Sequence, residues 1–209
     1  MSNAEGLVKD NNYSEAIDLL KKAQKYDSND TEIEELIKSY QATYDEIKKK
    51  EAEQKAEEER QEALLFEGKV ITTKNTETTF LKAVLTDAVY PNNRSGYYTY
   101  FTVNDNNTIW LDIQLSVKNT STSLFNLYAA VDNLQATYNN KYKYNSCGLY
   151  ISQGNSIEKL YEYFSNSISA LDVATLHIVV PLPRECRDND APIQATFRFD
   201  GKKQLLEFR

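Results

Sequence analysis

His177, inside "VATLHIVV", is the single histidine of this 209-residue chain. A nucleophilic relay needs an imidazole beside a carboxylate and an activated hydroxyl or thiol. One histidine in an apolar run reads instead as a packed or solvated strand residue. Two cysteines, Cys147 and Cys186, show no CxxC or HxxxH spacing with it, so no zinc site is expected. Six glycines leave no Gly-rich phosphate loop. Two strands could bring Asp or Glu side chains together, but nothing in the sequence singles out a pair. The chain is therefore expected to be non-enzymatic, with no catalytic residue, metal or cofactor.

Cys147 in "YNSCGLY" and Cys186 in "PRECRDND" support two readings. They are two buried thiols acting as small hydrophobes, or they form one disulfide, as an exported domain would permit. A bond closing that loop would contribute about 3 kcal/mol in the chain-entropy picture.

The aromatic stretch "SGYYTYFTVNDNN" crowds Tyr97, Tyr98 and Tyr100 between polar turns. Successive strand residues point to opposite faces, so some of these rings must face outward. They either pack over a sheet edge, as the β-propensity of tyrosine suggests, or form a recognition surface. Tyrosine gives large contact area at low entropy cost, and aromatic platforms also suit sugar rings.

The elements that hold these residues change character along the chain. Residues 1–66 carry 10 Lys and Arg against 17 Asp and Glu, which accounts for the whole net charge of -7. The remainder is neutral. A neutral body with an acidic arm lacks the basic footprint that nucleic acid requires. No apolar stretch reaches the roughly 18–20 residues of a membrane span. The opening Met-Ser-Asn-Ala reads as a residual cloning scar. A targeting or membrane-anchoring segment could therefore have been lost upstream.

Residues 5–65 predict helix. Ala16, Ile17, Leu20 and Ala23 recur at helical spacing after a turn at Asn11–Asn12, and Ile33, Leu36, Ile37, Tyr40, Tyr44 and Ile47 repeat the pattern. Thr31 with Glu34 fits a capping box. "YSEAIDLLKKAQKYDSND" resembles the second half of a tetratricopeptide repeat. Ala16, Leu20 and Ala23 hold its small/large/small positions, and Asp27-Ser28 stands where that family usually has Asp-Pro. One repeat cannot bury a solenoid face alone, so residues 1–47 are expected to form a helical hairpin. Residues 48–66 continue it as a charged helical stalk, with only alanines punctuating the run.

From residue 67 the period becomes two. Ile109, Leu111, Ile113, Leu115 and Val117 alternate with Trp110, Asp112, Gln114, Ser116 and Lys118, and Leu81, Ala83 and Leu85 alternate earlier. Asp200-Gly201 is a hairpin signal. "NSIEKLYEYFSNSIS" predicts a short helix over residues 155–169. Seven or more alternating strands indicate a two-sheet antiparallel sandwich over residues 67–209, making the chain α+β overall.

"IWLDIQLSVKNTSTSLFNL", followed by "DNLQATYNNKYKY", "LHIVVPLP" and "APIQATFRFDGKKQLLEF", resembles a bacterial immunoglobulin-like domain of unknown function. That family is related in fold to a mycobacterial secreted immunoprotective antigen. The resemblance implies an extracytoplasmic domain of the cell envelope or a secreted protein, and carries over no catalytic residue. The expected function is a protein-interaction module with a partner not identified by the sequence. A module binding carbohydrate or cell wall through surface tyrosines is the alternative.

Overall fold

The computed structural model describes residues 2–26, 30–161 and 167–209. It divides into two compact units, Met1–Glu62 and Ala63–Arg209. No helix among the described residues is long and apolar enough to cross a membrane.

The first unit contains α1 (Ser2–Lys9), α2 (Tyr13–Gln24) and α3 (Thr31–Ala63), whose last residue belongs to the second unit. Ala4, Ala16, Leu20 and Ile33 form its small core, and Leu36, Ile37 and Tyr40 pack against it. Ala16 and Leu20 hold the helix-contacting positions expected of them, but Ala23 is exposed. Asp27-Ser28 lies outside the described residues. The cap of α3 is Asp30 rather than Thr31. Its Oδ1 accepts from the backbone N–H groups of Glu32 at 3.0 Å and Ile33 at 3.1 Å, satisfying donors that a helix start leaves unpaired. The expected boundary at residues 47 and 48 falls inside the continuous α3. There, surface pairs such as Glu46–Lys50 at 2.8 Å and Lys48–Glu51 at 2.9 Å line a solvated helix.

The second unit is a β-sandwich. Its strands are β1 (Val70–Thr72), β2 (Thr76–Thr86), β3 (Ala88–Val89), β4 (Phe101–Thr102), β5 (Thr108–Asn119), β6 (Phe125–Asn126) and β7 (Val131–Tyr138). There follow β8 (Tyr142–Tyr144), β9 (Gly148–Gln153), β10 (Ser156–Lys159), β11 (Ser167–Ile168), β12 (Val173–Pro183), β13 (Ile193–Phe199) and β14 (Lys202–Glu207). The large sheet runs β1-β2-β5-β12-β9-β10 and the small one β14-β13-β7-β8. Every pairing in both sheets is antiparallel.

The five aliphatics of β5 are completely buried. They share one core with Leu176, Ile178 and Val180 of β12 and with Ala136, Ala195, Phe197 and Leu206 of the small sheet. Burying such a side chain contributes about 1.5–3 kcal/mol, so alternation in β5 and β12 fixes which face turns inward. Asp200 (φ 46) and Gly201 (φ 79) make the predicted tight turn between β13 and β14.

Two expectations change. The residues described between 155 and 161 are not helical. Gly154, at φ 58, turns the chain so that β10 pairs back on β9. Ile157 and Leu160, whose spacing suggested a helix, are buried from this strand and its end. Residues 162–166 of that expected helix lie outside the described residues. In β2, a bulge between Phe80 and Lys82 breaks the alternation. Phe80 enters the core with Ala83 and Leu85, and Leu81 does not.

Candidate functional site

The outer face of the large sheet carries the site. Outward positions of an antiparallel sheet usually meet water, and alternation places Asp112 and His177 there. Both are nevertheless only 2% exposed, because residues 88–103 fold back over the sheet. This covering segment is tied at its base by pairing of β3 with β4, Ala88 with Thr102 and Val89 with Phe101. Farther along, the backbone N–H of Asn92 donates to Ser152 Oγ at 2.9 Å, and Asn92 Nδ2 donates to Thr175 Oγ1 at 2.7 Å. The Asn93 N–H reaches Gly154 O at 3.0 Å, and Asn155 Nδ2 reaches Ser95 O at 2.8 Å. Beneath it, Val89, Tyr150, Ile157 and Val179 form a second small core, with Phe101 and Trp110 packed against it.

The closing ends of the segment are clamped by charge. Asp87 lies 2.7 Å from Arg184 Nη2 and 2.9 Å from Arg187 Nη2. Arg184 also donates to the carbonyls of Asn106 at 2.7 Å and Thr108 at 3.0 Å. The guanidinium groups of Arg187 and then Arg184 hold the Asp87 carboxyl below the usual carboxylate range.

Under the segment, His177 Nδ1 lies 3.0 Å from each carboxylate oxygen of Asp112. A carboxylate only accepts, so Nδ1 is the donor. Gln114 Nε2 donates to Asp112 Oδ2 at 2.7 Å. The other ring nitrogen of His177, Nε2, is buried and has no hydrogen-bond partner among the described residues. Beside the pair opens a cavity of about 480 Å³ whose wall includes Leu81, Lys82, Tyr90, Arg94, Gln114 and His177.

The expected tyrosines divide. Tyr98 and Tyr100 join Tyr90, which the sequence reading did not single out. The Tyr90 and Tyr100 rings stack at 5.2 Å and 22°, with Tyr98 edge-on to Tyr90 at 6.4 Å. The Arg94 guanidinium lies 4.1 Å over the Tyr90 ring. Tyr97 stands apart and is 90% exposed, while Tyr100 is 53% exposed. Tyr90 could have been flagged by "YPNNR", where an aromatic and a proline precede a polar turn.

Cys147 and Cys186 are free thiols rather than the disulfide considered from sequence, Cys147 exposed and Cys186 buried. Burial pushes the Cys186 thiol up to about 11, as desolvation disfavours the thiolate.

No protein-family profile matches the chain, and no curated protein does. Among solved structures, the chain is similar to an uncharacterized beta-sandwich protein from Clostridium difficile 630. That similarity has 23% identity and a TM-score of 0.60, covering 70% of this chain and 93% of that one. A conserved hypothetical protein from Bacillus anthracis matches at 10% identity and TM-score 0.38, over 66% of this chain and 92% of that one. The yjhA protein from Bacillus subtilis matches at 12% and 0.36, over 68% and 97%. The first likeness identifies the fold as a β-sandwich and carries no activity with it.

Proposed function

We propose that this chain is a non-enzymatic interaction module that captures a protein partner through residues 88–103. The observation that carries the reading is the cluster of half-buried Tyr90 and Tyr98 with exposed Tyr100 and Arg94, held on a segment hydrogen-bonded to the large sheet. Tyrosine and arginine dominate binding hot spots, and contacts ordered before binding cost less entropy on association. Tyr97, almost wholly in solvent, extends that surface.

Arg94 over the Tyr90 ring and Tyr100 stacked against it favour the protein partner. A sugar platform needs free ring faces, and Tyr90 already packs against Tyr98, Tyr100 and Arg94. An immunoglobulin-like, extracytoplasmic domain belongs to the same reading, supported by the resemblance of the β5 and β12–β14 motifs.

The test is a pull-down with the whole chain as bait, against solubilised envelope proteins and, in parallel, cell-wall polymer. A protein recovered reproducibly and lost when Tyr97, Tyr98 and Tyr100 become serine supports the reading. Retention by polymer without any protein replaces it with the carbohydrate alternative.

A further inference from the structure

The cavity under the covering segment has a chemistry of its own. Asp112 and His177 make no hydrogen bond to residues 88–103; Asn92 does the tying, to Ser152 and Thr175. The buried pair is therefore not what holds the segment down. Removing a carboxylate from water costs several kcal/mol unless hydrogen bonds compensate. Asp112 recovers that cost from His177 Nδ1 and Gln114. His177 Nε2 recovers nothing, because it has no partner among the described residues. Whenever the ring is neutral, with Nδ1 carrying the proton toward Asp112, Nε2 is an acceptor that calls for a donor.

The strand register sets the scale of that group. Lys82 of β2 is the partner of Gln114 of β5, and Gln114 is the partner of His177 of β12. The three side chains stand in one row across the outer face, with strands about 4.8 Å apart. Lys82 reaches this row because of the bulge after Phe80, a device that re-aims side chains beside functional sites. Among the described residues, neither Lys82 nor Arg94 has a carboxylate partner, and both line the cavity. Two cations against the single carboxylate of Asp112 leave the wall positive.

We propose that this cavity binds a small anion bearing a hydroxyl group. Lys82 and Arg94 hold the carboxylate or phosphate, and the hydroxyl donates to His177 Nε2. Gln114, already committed to Asp112, keeps the imidazole acceptor in place. A volume of about 480 Å³ suits a short sugar acid or polyol phosphate. The site shares Tyr90 and Arg94 with the proposed capture surface, so Lys82, which belongs to no part of that surface, serves as its test residue.

The single histidine makes the experiment direct, since the imidazole of the whole chain gives one set of ring nitrogen signals. Glucuronate and glycerol 3-phosphate are titrated at millimolar concentration and fixed pH. Inorganic phosphate and glycerol serve as controls, on the wild type and on Lys82→Ala. The proposal expects at least one hydroxylated anion to move the His177 Nε2 signal saturably. It expects both controls to be weaker, and Lys82→Ala, at an exposed side chain, to weaken binding by about tenfold. No saturable shift with either probe overturns it, as a water-filled cavity only. Equal response to inorganic phosphate, or an unchanged affinity in Lys82→Ala, overturns it as an adventitious ion only.

Discussion

Asn92 reaches from the covering segment to Thr175, in the middle of the large sheet, and donates through Nδ2 to its Oγ1 at 2.7 Å. Thr175 is buried, so the hydroxyl has no water to replace that donor. The proposed recognition surface takes its order from this anchor.

Asn92→Ala is therefore expected to cost about 1–2 kcal/mol, the range for leaving a buried polar group short of a partner. Hydrogen exchange at the amides of residues 93–100 should accelerate more than at those of β5. Uniform acceleration across the sheet would show that the segment is held by other contacts.

The Asp112–His177 pair gives a second outcome. Asp112→Ala leaves the buried imidazole without its acceptor, and urea unfolding should show a loss of about 3 kcal/mol. Replacing both residues with valine should cost less than the sum of the single changes, because an apolar pair carries no desolvation penalty. Strict additivity would mean the two side chains do not act together.

Asp87 predicts a pH dependence. Its folded carboxyl titrates below the ordinary value of 3.8, held there by Arg187 and Arg184. The stabilisation is present above that ordinary value and disappears as pH falls through the depressed one. Urea midpoints of the wild type should fall below about pH 4 more steeply than those of Asp87→Asn, which lacks this titration. Parallel profiles would remove the clamp from the account.

The thiols give a fourth outcome. In native protein, alkylation at neutral pH should label exposed Cys147 and spare buried Cys186, whose thiol stays protonated up to about 11. In denaturant without reductant both should label. Failure of both to label there would reveal a disulfide.

Much of the fold was legible because its signals are local. The five aliphatics of β5 alternate without interruption, and all five are buried. Asp200-Gly201 requires positive φ at both positions and forms the expected turn. The site was less legible because it is made by closure at a distance. Alternation put Asp112 and His177 outward, and nothing local says that residues 88–103 return to cover them. The bulge after Phe80 moved Lys82 to the cavity wall by one uncounted residue. Ile157 and Leu160 fitted helical spacing, but the turn at Gly154 made that stretch a strand. The tyrosines were visible by type, whereas the company of Tyr90 and Arg94 appears only in three dimensions.

A photo-crosslinking residue at Tyr97, which is 90% exposed on the covering segment, tests protein capture by residues 88–103 most directly. A control carries the same residue at Leu171, 71% exposed and outside the covering segment. Irradiation in an envelope extract should yield one protein adduct from position 97 and none from 171, suppressed when Tyr98 and Tyr100 are serine. Identical adduct patterns from both positions, or an adduct at 97 indifferent to those changes, would contradict a protein-binding role for residues 88–103.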